Sequence, residues 1–442
     1  MARVFVLWDE SHLWGVLVLR ALRALGIPHG ILRAHDIAEG ALAGKPALLI
    51  VPGGWARGRA LRLGPAGLDA IRAFVAAGGN YLGFCGGAGL ALTSPRPGES
   101  LNLCPWGRMG FAGRLQHFLS GHVRLDLDPA QPLCPPGSPL PASPGTPDNV
   151  GILAPVWWPA QFAPTKNERD EMRVLARYAG LGADFWVADL NLALLPEETL
   201  ADWENLYGMQ IRPDFLRGRP AVIAGNYGQG RYVLSYPHLE TPDSAQANAW
   251  FAHLLRELTG EDCPAPSPSA SLIPPWHVGQ PPASGEPRWP QWNDPALLSA
   301  KAALEKAISV GESHLLLFWR NPWLLGWRRG LPGPGINSVY ALVCEALSAP
   351  PTEAALAYWQ EHGAEFARLS QLFCSGLSGL LLAERLDMTV RATPSENGAD
   401  QAFAMSLRET RRALFGTPPA IGGLCGELLG MLEELCAGLW TD

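Results

Sequence analysis

The sequence has little charge, no long apolar run and no paired cysteines, and each absence removes a class of function. Only 17% of the 442 residues are charged, the net charge is −7 and the arginines are scattered. That leaves no basic footprint for a phosphate backbone, so nucleic acid is not an expected partner. The longest apolar stretches, residues 315–319 and 377–383, fall far short of the ~20 residues that span a bilayer, and no membrane insertion is expected. Residues 1–10 are apolar for too few positions to make a signal peptide and read as a first core strand, so the expected compartment is the cytoplasm. The eight cysteines show neither C-x-x-C nor zinc-finger spacing, which argues for free thiols. His117 and His122 stand five apart, off a single helical face, and no metal or cofactor is expected. No repeat period is present.

What is there is a folded, apolar chain. Hydrophobic residues make up 48% of it, and its length suits two or three domains. Strand-like and helix-like segments alternate at the start: strand 4–8, helix 14–25, strand 30–33, a buried apolar strand 47–51 ending at Pro52-Gly53-Gly54, helix 65–77 and strand 80–84. This βαβ order predicts an α/β fold built on a doubly wound parallel sheet, with ligands at the carboxyl ends of its strands. Residues 129–147 read as a Pro/Ser/Gly-rich loop, 220–235 as two strands around a turn, and 244–259 as a closing helix. Residues 261–296 read as a Pro-rich linker. Helical spacing at 300–310, 338–347, 352–384, 400–414 and 423–439 predicts a smaller all-α domain over 297–442.

The most informative segment is Gly83-Phe84-Cys85-Gly86-Gly87, between a strand-like and a helix-like run. A reactive side chain on a sharp strand-to-helix turn needs small neighbours, and a thiol there faces the N–H groups of the next helix. Cys85 is therefore a candidate nucleophile, beside the plainer reading of a packing turn whose thiol does no chemistry. A thiol nucleophile needs a base, and the base needs an orienting acid. His238 and Glu240 are one residue apart at a strand end, so both side chains can share a side. Gly53, Gly54 and Gly86 can supply backbone donors to an oxyanion; Gly53 and Gly54 also read as turn glycines of positive φ.

The order Pro-Gly-Gly, Gly-x-Cys-x-Gly, and His-x-Glu after a Tyr-Gly-x-Gly-Arg hairpin resembles the class I glutamine amidotransferase-like fold. The pattern Gly79 to Ala88 is most similar to the domain at the N-terminus of some biotin-protein ligases and in related stand-alone bacterial proteins. The resemblance covers roughly residues 1–260. It implies Cys85, His238 and Glu240 as catalytic residues and an amide substrate. The family's His-Pro-Glu stands here as His238-Leu239-Glu240, with Pro237 ahead of it, and residues 129–215 read as an insertion. No Gly-Arg-Gly-Arg adenylate loop is found, so biotin transfer is not expected of this chain.

Glu10, His12 and Trp55 lie near strand ends and are weaker substrate-contact candidates, whereas Ser11 reads as a helix N-cap. Tryptophans 8, 14, 55, 106, 157 and 158 cluster near strand ends, where core packing is the commoner use. The expected function is a cysteine-dependent amidase or amidotransferase-like hydrolase working through a thioester. The alternative is a non-catalytic binding or regulatory module holding a small amide, carboxylate or biotin-like ligand. The helical domain is expected to cap the site or bind a protein.

Overall fold

The computed structural model describes residues 3–96, 98–109, 119–136, 151–165, 172–208, 211–263, 271–279, 289–328, 333–391, 399–417 and 420–440. Two compact units divide the chain, Met1–Pro275 and Trp276–Asp442. His117, most of the expected 129–147 loop and part of the 261–296 linker lie outside the described residues.

The first unit opens with β1 (Val4–Leu7), α1 (His12–Ala24), β2 (His29–Leu32), α2 (Ala34–Ala38), β3 (Leu48–Val51), α3 (Ala56–Ala76), β4 (Asn80–Phe84) and α4 (Gly86–Ala91). It continues through β5 (Gly107–Met109), β6 (Leu119–Leu127), β7 (Ile152–Trp157), β8 (Gln161–Ala163), β9 (Arg173–Leu181), β10 (Trp186–Val187) and β11 (Leu190–Asn191). It ends with α5 (Glu197–Tyr207), β12 (Pro220–Tyr227), β13 (Gly230–Ser235) and α6 (Ala245–Thr259). The expected helix start at Pro65 is visible as a break inside α3, where Gly64 leaves helical geometry.

An eleven-stranded sheet runs β11-β10-β6-β9-β12-β13-β4-β3-β1-β2, with β7 paired to β6. Neighbours among β2, β1, β3, β4 and β13 are parallel, as the βαβ alternation predicts. Beyond β13 every pairing is antiparallel, so the sheet is mixed. Of the antiparallel half, β7, β9, β10 and β11 lie in the stretch read as an insertion, β12 is the first strand of the expected 220–235 pair, and β6 is an addition. Side chains alternate across the parallel block: Leu7, Leu49, Val51, Tyr81 and Leu234 join a core with residues of α3 and α4. On the other face Phe84 meets Phe251 of α6 edge-on at 5.7 Å.

This topology decides where function can sit. Parallel β1, β3, β4 and β13 all end on one edge, which delivers residues 8–12, 52–54, 85 and 236–240 together. Successive antiparallel steps from β13 through β12, β9 and β6 bring β7 back into the direction of β4. Its last residue, Trp157, therefore reaches that same edge.

The second unit contains α7 (Pro295–Ser313), β14 (Leu317–Asn321), β15 (Leu324–Trp327), α8 (Gly333–Ser348), α9 (Glu353–Arg391), α10 (Ala399–Phe415) and α11 (Gly423–Trp440). The five helices match the helical spacing of the sequence. The β14–β15 hairpin is an addition to the expected all-α unit, short enough to be hidden in an apolar run. Buried Asn337 of α8 holds it, accepting from the Leu325 amide at 2.8 Å and donating to the Trp323 carbonyl at 3.3 Å. Helix α9 is long and apolar enough in composition to cross a membrane, although no uninterrupted apolar run reveals this. Its Phe366, Phe373, Leu377 and Leu381 are buried in the unit.

Candidate active site

Cys85 sits on the turn from β4 to α4 with φ 45° and ψ −102°, a conformation that costs a non-glycine residue about 1–3 kcal/mol. The surrounding structure holds it there: its amide donates to the Ser235 carbonyl at 2.7 Å, extending the β4–β13 ladder into the elbow. The thiol is partly exposed and approaches the Trp157 carbonyl at 3.6 Å. By contrast, burial pushes Cys374 up to about 12 and Cys344 and Cys425 higher still, so these core thiols are unreactive.

His238 and Glu240 are fully buried, and Nδ1 of the imidazole lies 2.7 Å from Oε1 of Glu240. An ionised carboxylate only accepts, so Nδ1 carries the proton and Nε2 is left as the acceptor of the neutral ring. Nε2 is buried and has no completed protein hydrogen bond among the described residues. Burial alone would lower the imidazole pKa, but the Glu240 charge and hydrogen bond and the adjacent Cys85 outweigh it and raise it to about 9. The His238 amide is fixed as well, donating to the Pro155 carbonyl of β7 at 2.8 Å.

A raised histidine pKa gives a stability signature. The stabilisation is fully present below the unfolded value of about 6.5 and is lost as pH rises through about 9. Denaturation of wild type and Glu240→Gln between pH 6 and 10 should therefore show the largest stability gap at the acid end and a closing gap above pH 9.

The three glycines are brought to the same place. A Cβ on Gly53 would stand 2.8 Å from Cε1 of His238, and one on Gly86 would stand 1.9 Å from the Gly54 carbonyl oxygen. The absent side chains therefore let the imidazole, the β3 turn and the elbow close on each other. Positive φ is found at Gly54, +125°, and not at Gly53. The amides of Gly54 and Gly86 make no backbone hydrogen bond among the described residues. A Gly86→Ala protein should lose about 1–3 kcal/mol of stability in urea denaturation, because its methyl group meets backbone that cannot step aside.

Sequence reading missed Arg59. Its guanidinium is fully buried and donates to the carbonyls of Asp9, Glu10, Pro52 and Gly53 and to Oγ of Ser11, at 2.9–3.1 Å. One side chain thus ties the end of β1 to the end of β3. In a trans peptide the C=O and N–H point opposite ways, so anchoring the Gly53 carbonyl turns the Gly54 N–H away from Arg59. The legible signal was an arginine beside Ala60 and four before Leu63, on the buried stripe of α3.

The weaker candidates share this edge without joining the cysteine–histidine pair. Glu10 faces Arg62 at 3.7 Å, and Trp55 packs over Gly58 of its own helix. Burial, then Arg59 and Arg62, push His12 down to about 4, so its ring is neutral. Ser11 stands at the N-cap of α1 as expected, but its hydroxyl makes no cap bond: it donates to the Leu7 carbonyl and accepts from Arg59. The rings that do contact His238 are Trp14, with centroids 4.6 Å apart, and Trp157, edge-on at 5.1 Å. Among the described residues no cluster of three or more His, Cys, Asp or Glu side chains is arranged to hold a metal ion.

Comparison with known proteins matches one segment to a family. The family model "Biotin-protein ligase, N terminal" covers residues 32–94, which run from β2 through the Gly53-Gly54 turn and the Cys85 elbow. No curated protein sequence matches the chain. Among solved structures, one described as a GMP synthase subunit from Thermoplasma acidophilum is 15% identical, with 59% of this chain and 98% of that one covered at a TM-score of 0.34. A ThuA-like protein from Bacteroides uniformis is 13% identical, over 62% and 96% of the two chains, at 0.35. The GH42 β-galactosidase Gan42B from G. stearothermophilus is 12% identical over 58% of this chain, at 0.34. The match spans 30% of the galactosidase's length.

Proposed function

We propose that the first unit is a cysteine-dependent amidohydrolase of glutamine amidotransferase type, working through Cys85, His238 and Glu240. The observation that carries the reading is the buried His238–Glu240 pair at 2.7 Å, whose remaining nitrogen faces the strained cysteine elbow. The family match to residues 32–94 supports it by covering the elbow and the glycine turn.

In this mechanism Sγ of Cys85 attacks an amide carbonyl while Nε2 of His238 takes the thiol proton. The Gly54 and Gly86 amides donate to the developing oxyanion. Collapse breaks the C–N bond as Nε2 returns the proton to the leaving amine, and water then cleaves the thioester with His238 as base. Glu240 holds the ring in the required tautomer and stabilises the imidazolium. Tyr178 and Tyr236 are buried, and burial raises their pKa values, so their hydroxyls offer neutral donors to a substrate acceptor beside the thiol.

The test is acyl-enzyme capture: a panel of small primary amides and their activated esters is incubated with the protein, followed by acid quench and intact mass spectrometry. An adduct mapping to Cys85 and absent from Cys85→Ala supports the reading. Turnover of any of these amides by Cys85→Ala at the wild-type rate sinks it.

One observation favours a second, binding-only reading. The Trp14 and Trp157 rings press on the imidazole, and the thiol points at the Trp157 carbonyl. In that case the same amides bind without any adduct.

A further inference from the structure

A second constellation lies in the first unit and owes nothing to Cys85. His122 is on β6, Asp184 is in the turn between β9 and β10, and Ser244 is at the N-cap of α6. Asp184 grips His122 twice: Oδ2 lies 2.8 Å from Nδ1, and Oδ1 accepts the His122 amide at 3.0 Å. The turn is closed onto the histidine by the Gly182 amide, which donates to the His122 carbonyl at 2.7 Å. Gly121 makes the approach feasible, with φ +128° and no room for a side chain, since a Cβ would stand 2.4 Å from the Asp184 carbonyl oxygen.

Proton positions follow from these contacts. The carboxylate accepts from Nδ1–H, which makes Nε2 of the neutral ring an acceptor. Oγ of Ser244 lies 3.2 Å from Nε2, so the serine hydroxyl is the donor. Burial would raise the Asp184 pKa, but the hydrogen bonds from the His122 ring and amide outweigh it and lower it, keeping the carboxylate ionised. Oγ of Thr241, itself 3.2 Å from the His238 carbonyl, touches Ser244 Oγ at 3.2 Å and fixes it from the other side.

Ser244 also departs from the usual behaviour of its position. A serine at an N-cap normally accepts from the first-turn N–H groups of its helix. Here the side chain makes no cap bond and turns to His122. The first-turn N–H groups of this 15-residue helix have no carbonyl four residues back to bond, so they stand close to the serine as potential donors.

We propose that Ser244, His122 and Asp184 form a second nucleophilic centre, a serine acyl-transfer site acting on small carboxylic esters. Ser244 is only 6% exposed, whereas the His122 and Asp184 side chains are 32% and 54% exposed. The site therefore takes a short acyl group, and the histidine is its solvent-facing side. In the first step Oγ bonds to the ester carbonyl carbon, the carbonyl π pair moves to oxygen, and Nε2 takes the hydroxyl proton. Collapse breaks the C–OR bond, and Nε2 passes its proton to the departing alkoxide, releasing the alcohol. Water then adds to the acyl-serine with Nε2 as base, and the proton returns to Oγ as the carboxylic acid leaves. Ester and water give acid and alcohol, with no further reactant.

The test uses the full chain carrying Cys85→Ala and a small alkyl fluorophosphonate, which phosphonylates a histidine-activated serine. Labelling is followed by intact mass and peptide mapping, alongside p-nitrophenyl acetate hydrolysis. The expected result is a single adduct on Ser244 with matching loss of esterase activity. Labelling should fall by about 10²–10⁴-fold in His122→Gln and Asp184→Asn, the range of general-base assistance. Far-UV circular dichroism of each variant separates this loss from unfolding. No adduct at Ser244, or a labelling rate that folded His122→Gln and Asp184→Asn leave unchanged, overturns the proposal.

Discussion

Replacing His238 by alanine should slow acylation of Cys85 by an activated ester by about 10²–10⁴-fold while leaving the nucleophile itself in place. Proton positions are the reason. Glu240 fixes one proton on Nδ1, so the other nitrogen faces Cys85, and the raised imidazole pKa of about 9 favours the ring cation in which that nitrogen holds the thiol's proton. Alanine removes that nitrogen and also leaves a void beside the packed Trp14 and Trp157 rings. Rates are to be read by stopped-flow or quenched mass spectrometry at fixed pH. Glu240→Gln should give a smaller loss, because the ring keeps a partner but loses the charge that stabilises its cation. Equal rates in wild type and His238→Ala would remove the base from the mechanism.

Arg59 should yield the largest stability effect. Replacing it with methionine keeps much of the stem but leaves the carbonyls of Asp9, Glu10 and Gly53 without their guanidinium donor, whereas the Pro52 carbonyl keeps the Gly87 amide and the Ser11 hydroxyl its bond to the Leu7 carbonyl. Each unsatisfied buried group costs about 1–3 kcal/mol, so even partial relaxation leaves a deficit of several kcal/mol in urea denaturation. The milder Arg59→Lys separates stability from chemistry. A lysine keeps the charge but lacks the planar fork that orients the Gly53 peptide. Acylation of Cys85, which develops an oxyanion, should then fall by about 10²–10³-fold. Alkylation by iodoacetamide, which develops none, should change little. A parallel fall in both rates would mean that Arg59 merely supports the fold.

The elbow, the glycine turn and the His-x-Glu pair were legible because each is local. Gly83 to Gly87 and Gly53-Gly54 are short patterns whose residue types admit few conformations, and β3 is the uninterrupted apolar run that ends at the second of them. Arg59 and Trp157 were not legible in the same way. The roles of both depend on contacts across the sheet edge, between segments distant in sequence. Apart from the β12–β13 hairpin, which was legible as two strands around a turn, the antiparallel half escaped for a related reason. Strands such as β10 and β11 have two residues each, and β6 and β9 have register shifts where they pair. Periodicity cannot mark elements so short or interrupted. The His122–Asp184–Ser244 set shows the limit most clearly, since its three residues come from a strand, a turn and a helix cap and share no sequence pattern.

Activation of Cys85 by His238 is the central claim, and competitive alkylation tests it most directly. Wild type and His238→Ala are treated with limiting iodoacetamide at pH 6.5, and modification of Cys85 is compared with that of Cys263, the other partly exposed thiol, by peptide mass spectrometry. Cys85 should react at least about tenfold faster than Cys263 in wild type, and His238→Ala should remove the advantage. Equal rates at the two cysteines, unchanged by the substitution, would contradict the claim.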